Sequence, residues 1–322
     1  MNDQKNGKKR RKKWKYIIIA IVVILGGVEA VRFVASKPPQ QDIYFTEYNL
    51  KVDTTILKYD SVKNETSKIG VVDGEFYKCV LNSDKTCITG LLYDSGEKKT
   101  ELVRYDLSTG TLEDKGLAKI MKDTADADEW ENILIYDGGN KFLVSYLDGN
   151  EEEKWLFYDI ATGQYGIVEG EHNGTCEFVE IHDNILWYVA KKGCTLYQYN
   201  LETQEKTKIM DSVEGVAVNE DAGLVAYAKE KWDSKIYLYD IKHKITRLMA
   251  IAPKWYSFYA DLFYTESRWS DDGRLFFYVK IFPGFAATSD VGIRACDPKS
   301  GRVFSIYEIK NTGHTFRFIA SD

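Results

Sequence analysis

The sequence predicts an all-β fold, a β-propeller of six blades, and three observations predict it. The 322 residues include 22 Tyr, 15 Phe and 7 Trp against 5 Pro, a composition that suits pleated strands. One short hairpin pattern recurs along the chain at a spacing of propeller-blade length. The two chain ends read as the complementary halves of one further repeat.

The recurring hairpin takes the elements in order. Its copies are LKYDSV (57–62), VRYDLSTG (103–110), LFYDIATG (156–163), LYQYNLET (196–203), IYLYDI (236–241) and IRACDPKSG (293–301). The anchors Asp60, Asp106, Asp159, Asn200, Asp240 and Asp297 are separated by 46, 53, 41, 40 and 57 residues. An Asp or Asn at this place bonds the backbone two residues on, and Gly supplies the following positive-φ position. A second hairpin lies between copies, clearest in residues 178–188, 217–228 and 269–278. Two hairpins per repeat make four strands, the content of one blade.

The motif Trp269-Ser270-Asp271-Asp272-Gly273, an apolar strand and then a Tyr-Asp-x-x-Thr-Gly hairpin resemble the WD40-like propeller repeats of the TolB and dipeptidyl-peptidase-IV type. The resemblance covers nearly the whole body. It departs from the family pattern in lacking the Pro of the Ser-Pro-Asp-Gly turn in every copy. It implies a propeller, and the hydrolase domain that follows the propeller in peptidase relatives is not expected here. Residues 314–322 read as the first strand of a blade cut off at a Ser-Asp turn, and 43–48 as the second strand. Joined, they bring the count to six, while the two long intervals leave five or seven open. A β-sandwich is the rival fold, but it would not repeat one hairpin so regularly.

Ahead of the propeller, residues 1–15 hold eight Lys and Arg against Asp3, although the whole chain has a net charge of −6. Residues 16–35 are apolar except for Glu29 and Arg32, long enough for one transmembrane helix. Basic residues before such a helix stay on the cytoplasmic side. The expected organisation is a cytoplasmic tail (1–15), a signal anchor (16–35), a linker (36–41) and an extracytoplasmic propeller domain (42–322). The competing reading is a signal peptide cleaved near Val28-Glu29-Ala30, which would secrete the body. The short tail and sparse cysteines suggest a bacterial cell membrane. An acidic body gives nucleic acid no electrostatic footing.

No Gly-x-Ser-x-Gly, His-Glu-x-x-His, P-loop or dinucleotide motif occurs, so no catalytic residue is assigned. His172, Cys176, His182 and Cys194 match no zinc spacing, and buried Cys with exposed His is the plainer reading. Asp123, Asp126 and Asp128, with Glu129 and Glu131, crowd one inter-blade connection; Asp148 and Glu151 to Glu153 crowd a loop of the next blade. Calcium is the one cofactor these acids suggest, although acidic loops are usually only solvated. On the same face the sequence places Trp255, Tyr256, Phe258 and Tyr259, with Phe282 and Phe285 in the following blade's inner loop. These aromatics are the candidate ligand-binding residues, against the alternative that they are core. Cys79 and Cys87, across a hairpin, are a candidate disulfide.

The function these features predict is a binding or scaffolding module for a protein, peptide or envelope glycan. Two alternatives remain. One is a propeller-type carbohydrate-active enzyme, a hydrolase or lyase with a carboxylate pair, for which two acids facing each other in a central pocket would speak. The other is an envelope sensor.

Overall fold

The computed structural model describes residues 38–321, apart from 50–52, 128, 171–175, 191–192, 230–234, 252–266, 271, 284–288 and 310–313. Within it the chain forms six sheets arranged as blades. Blade I takes β1 (Ile43–Asn49), β2 (Asp53–Asp60) and β3 (Glu65–Asp73). Blade II holds β4 (Glu75–Leu81), β5 (Cys87–Asp94), β6 (Lys99–Asp106) and β7 (Leu112–Asp114), and a helix, α1 (Leu117–Ala125), follows it. Blade III holds β8 (Asn132–Tyr136), β9 (Lys141–Leu147), β10 (Glu153–Asp159) and β11 (Tyr165–Glu169). Blade IV holds β12 (Cys176–His182), β13 (Ile185–Ala190), β14 (Thr195–Asn200) and β15 (Lys206–Met210). Blade V holds β16 (Glu214–Asn219), β17 (Leu224–Ala228), β18 (Lys235–Asp240) and β19 (Ile245–Ile251). Blade VI holds β20 (Ser267–Trp269), β21 (Phe276–Pro283), β22 (Ser289–Cys296) and β23 (Val303–Ile309). The chain ends with β24 (His314–Phe318) and β25 (Ala320–Ser321).

Every repeated anchor ends the third strand of its blade or, as Asp297 does, directly follows it, at the turn to the fourth. Asp106 Oδ1 accepts the backbone N–H groups of Ser108 and Thr109 at 2.8 and 2.9 Å. Asp159 and Asn200 repeat the pattern with residues two and three further on, all at 2.9 Å. These bonds, with the Ser108 hydroxyl, hold the exposed Asp106 carboxyl down at about 2. The positive-φ place after the turn is filled by Gly110, Gly163 and Gly301 near +70°, and by Asn64, Gln204 and Lys244 in the other blades. That exchange is why the repeat looks degenerate: the turn geometry persists where the glycine does not.

Burial runs from the inside of each blade outward. In β13 the residues Leu186, Trp187, Tyr188 and Val189 are all buried, because both faces of an inner strand lie under neighbouring blades. The outermost strands, such as β7 and β15, are largely exposed and carry Glu, Asp and Lys, which discourages further pairing at the edge. Six apolar clusters result, each shared by two successive blades. Trp155 of blade III, for example, meets Phe178, Tyr188 and Tyr199 of blade IV edge-on, with ring centroids 5.2–5.6 Å apart.

The ring closes through both chain ends. β24 pairs antiparallel with β1, Phe318 opposite Phe45, and so becomes the innermost strand of blade I. The expected Ser-Asp turn does not follow. Instead Ile319 donates its N–H to Tyr44 O at 3.0 Å, and β25 crosses to pair parallel with β4, Ala320 opposite Val80. The last residues thus tie blade I to blade II as well as to blade VI.

Neither long interval inserts a blade among the described residues. The 106–159 interval holds α1, a nine-residue helix not foreseen from the sequence. Its Leu117 and Met121 are 1% exposed and fill the wedge between blades II and III. The proposed disulfide does not form: neither Cys79 nor Cys87 is disulfide-bonded. The register explains it, since Cys79 sits in a bulge of β4 packed against Gly90, where a Cβ would come within 2.7 Å of the sulfur, while Cys87 lies opposite Asp106. Residues 16–35 lie outside the described residues. Among the described residues no helix is long and apolar enough to cross a membrane.

Closure should carry a large share of the stability. Phe316→Ala, which empties a site 1% exposed between blades I and VI, is expected to cost about 3–5 kcal/mol in urea unfolding. Val62→Ala, at a position 92% exposed, should stay within about 0.5 kcal/mol. Equal effects of the two would contradict this account of the ring.

Candidate functional site

The inner strands β4, β8, β12, β16 and β20, with Phe318 and Ala320, enclose a central cavity of about 1550 Å³. It opens among the turns joining first to second strands, where His182, Asp183, Glu220, Asp221, Asp272 and Arg274 line it. In an up-and-down blade these turns share one face with the anchored third-to-fourth turns. Inter-blade links and second-to-third loops lie on the other.

Three lining strands break their ladder at the cavity. β4 shifts register between Tyr77 and Val80, β12 between Phe178 and Glu180, and β16 between Glu214 and Ala217. A bulge places an extra residue on one strand and re-aims its neighbours. Here the shifts set Lys78, with φ of 49°, and Glu180 on the cavity wall.

Several polar groups in and behind the wall join blades. Lys78 Nζ donates to Asn132 Oδ1 and, at 2.9 Å, to Ile133 O. Asn132 passes its amide N–H to Cys176 O at 3.0 Å. Trp187 Nε1 donates to Glu220 Oε2 at 3.1 Å. Trp269 Nε1 reaches Ala217 O at 3.1 Å, and Asn219 Nδ2 reaches Gly273 O at 3.1 Å. Arg268 Nη1 ends the belt on Ile319 O at 2.6 Å. These bonds link blades II to VI and the chain terminus, so the wall is held as a unit.

Glu180 stands apart from that belt. No hydrogen bond to its carboxyl forms among the described residues. Burial pushes the carboxyl up to about 8, the nearby Glu220 carboxylate adds to the rise, and Arg268 opposes it. A carboxyl that stays largely protonated at neutral pH inside a cavity is a mark of functional sites.

The residues singled out in the sequence fall elsewhere. Trp255, Tyr256, Phe258, Tyr259, Phe285 and Asp128 lie outside the described residues, and Phe282 occupies β21 opposite Asp290. Asp123 lies on α1, and Asp126 follows it, paired with Lys122 at 2.7 Å. Asp148 caps its own turn through the N–H groups of Asn150 and Glu152. Glu153 points inward and accepts from Trp155 Nε1 at 3.0 Å and Cys176 Sγ at 3.2 Å. Of the zinc-like set, His172 lies outside the described residues, Cys176 is in the core and His182 is beside Asp183. Cys194 faces Glu214 at 3.7 Å. Among the described residues no group of three or more His, Cys, Asp or Glu is arranged to hold a metal. The cavity charges went unnoticed in the sequence. Their signal was a charge inside an otherwise apolar first strand, as in Phe178-Val-Glu180-Ile and Arg268-Trp269.

No protein-family model matches the chain, and no curated protein does. Solved structures do. TolB from Acinetobacter baumannii superposes with a TM-score of 0.62 at 12% identity, over 87% of this chain and 67% of that one. A putative TolB from Agrobacterium tumefaciens gives 0.57 at 10% identity, over 88% and 99%. A chain of a nidogen/laminin complex gives 0.54 at 7% identity, over 86% and 98%. The repeats are TolB-like propeller repeats. At these identities the likeness describes the fold, and the site must be argued from this chain's own residues.

The position of Glu180 makes a pH prediction. Its carboxyl ordinarily titrates near 4.5 and in the fold near 8. Between those values the folded chain holds a proton that the unfolded chain has released. Its contribution is therefore complete below pH 4.5 and is lost as pH rises through 8. Glu180→Gln keeps the neutral form throughout. The variant should gain on the parent by about 2–4 kcal/mol between pH 5.5 and 8.5 in urea unfolding, and a pH-independent difference would count against the buried titration.

Proposed function

We propose that this chain is a binding propeller that receives a segment of a protein partner in its central cavity, on the face turned toward its own membrane anchor. One observation carries the reading: Pro38, the first described residue, sits on the face of the cavity mouth. Arg274 of the β20–β21 turn lines the cavity and donates Nη2 to Pro38 O at 3.0 Å. Asp42, just before β1, is fixed nearby by Lys58 at 2.7 Å and by the Ser61 N–H at 3.1 Å. With a transmembrane helix over 16–35, Pro38 follows within three residues, a reach of roughly 10 Å. The mouth would then confront the bilayer, with the basic 1–15 tail on the cytoplasmic side. A partner entering there is itself membrane-associated or offers a slender segment. Large enclosed volume and a rigid wall suit such docking, since a preformed site loses little freedom on binding.

A second reading is favoured by one feature. Glu180, largely protonated, and Glu220, beside it in the cavity, are the central acid pair that a carbohydrate-cleaving enzyme would need. Against it, one Glu220 oxygen is engaged by Trp187, and Arg268 stands in the same field. Docking accounts for more of the wall.

Two measurements test the docking reading. In nanodiscs carrying a lipid-attached quencher, a fluorophore at Lys299, on the cavity face, should be quenched several-fold more than one at Asn150 on the opposite face; equal quenching would reverse the orientation. In intact cells, a photo-crosslinking residue at Asp221 should give a discrete adduct and one at Asn150 none. Adducts from Asn150 alone would move the docking site to the other face.

A further inference from the structure

We infer that Glu180 and Glu220 form a subsite for one basic side chain, a lysine ammonium or arginine guanidinium, which the partner inserts into the cavity. The inference rests on the cavity being the docking site and specifies what enters it.

The geometry separates Glu180 from a structural charge. A carboxylate kept in a propeller wall for stability would accept bonds from neighbouring strands, as Glu153 does from Trp155 and Cys176. Glu180 accepts none among the described residues, although it is half-buried and lines the cavity. The β12 bulge, at which Glu180 lies opposite Trp187, sets it there. Trp187 in turn donates to one oxygen of Glu220, so the residue paired with one acid in the ladder fixes the other. The cations in reach have other commitments: Arg268 donates to Ile319 O and Trp269 O, and Lys78 to Asn132 and Ile133 O. An enclosed carboxyl of this kind costs free energy unless it is protonated or meets a donor. A partner's cation supplies the donor.

The step balances as a proton exchange. The Glu180 carboxyl releases its proton to solvent, and the carboxylate accepts an N–H from the entering cation. No covalent bond forms. Affinity should therefore rise with pH through the range in which Glu180 ionises. The charged groups around it are Glu220 and Asp221 from the β16–β17 turn, Arg268 from β20, Lys78 from β4, and Glu177 and His182 on its own strand. His182, on the same strand as Glu180 and 3.6 Å from Asp183, is replaced as a control.

The test titrates the full-length chain, in detergent micelles, with N-acetyl-arginine amide and with its neutral twin N-acetyl-citrulline amide. Calorimetry in two buffers of different ionisation enthalpy reads proton release. The arginine derivative should bind at least tenfold more tightly at pH 8.5 than at pH 6.5, releasing up to about one proton near pH 7. Glu180→Gln should weaken it and flatten the pH profile, and His182→Gln should leave the profile in place. Glu220→Gln should move the midpoint to lower pH, since it removes a like charge. Equal binding of the citrulline twin, no binding of the arginine derivative, or an unchanged profile in Glu180→Gln would each overturn the subsite. An Asp221 crosslink that persists after such a result would leave cavity docking standing without the basic side chain. Loss of that crosslink with intact arginine binding would do the reverse.

Discussion

The contact on which this molecule depends is the apolar wedge between successive blades. A single four-stranded sheet has two faces to cover, and water can reach both unless another sheet lies against each. Here six clusters do the covering, one at each junction, including the junction made by the chain ends. Burial of apolar surface at roughly 25 cal/mol per Å² favours every junction. No blade can be removed without exposing two. This is why β24 pairs with β1 and why β25 reaches on to β4.

The wedge also creates the cavity. Blades packed side by side around an axis bring their innermost strands close, and the space left at the centre is lined by whatever those strands carry. Side-chain amides, indoles and cations of the wall mostly answer a neighbour's backbone carbonyl, which satisfies groups that would otherwise be buried without partners. The indole of Trp187 shows the economy of the arrangement. Its ring fills the junction between blades IV and V while its N–H fixes Glu220 at the mouth. Glu180 departs from this pattern: its carboxyl lines the cavity and receives no hydrogen bond from the described residues.

Much of the architecture was legible because its signals are local. Asp106, Asp159 and Asn200 announce their turns through bonds two and three residues on. Helix α1 was hidden because its apolar stripe, Leu117, Ile120, Met121 and Ala125, spans only nine residues, too short to declare a period. The Cys79–Cys87 pairing failed for a related reason. Proximity across a hairpin depends on register, and a bulge at Cys79 shifted it.

By itself the sequence determined the repeat, the turn chemistry and the joining of the two ends into one blade, since each follows from neighbours in the chain and from the period of the pattern. Only the tertiary structure decided which charges meet. Glu180, Glu220 and Arg268 come from three different blades, and nothing in the spacing of one predicts the reach of another. Their encounter is set by how many blades close the ring and by the bulges that turn particular side chains to its axis, both of which are consequences of packing between distant segments.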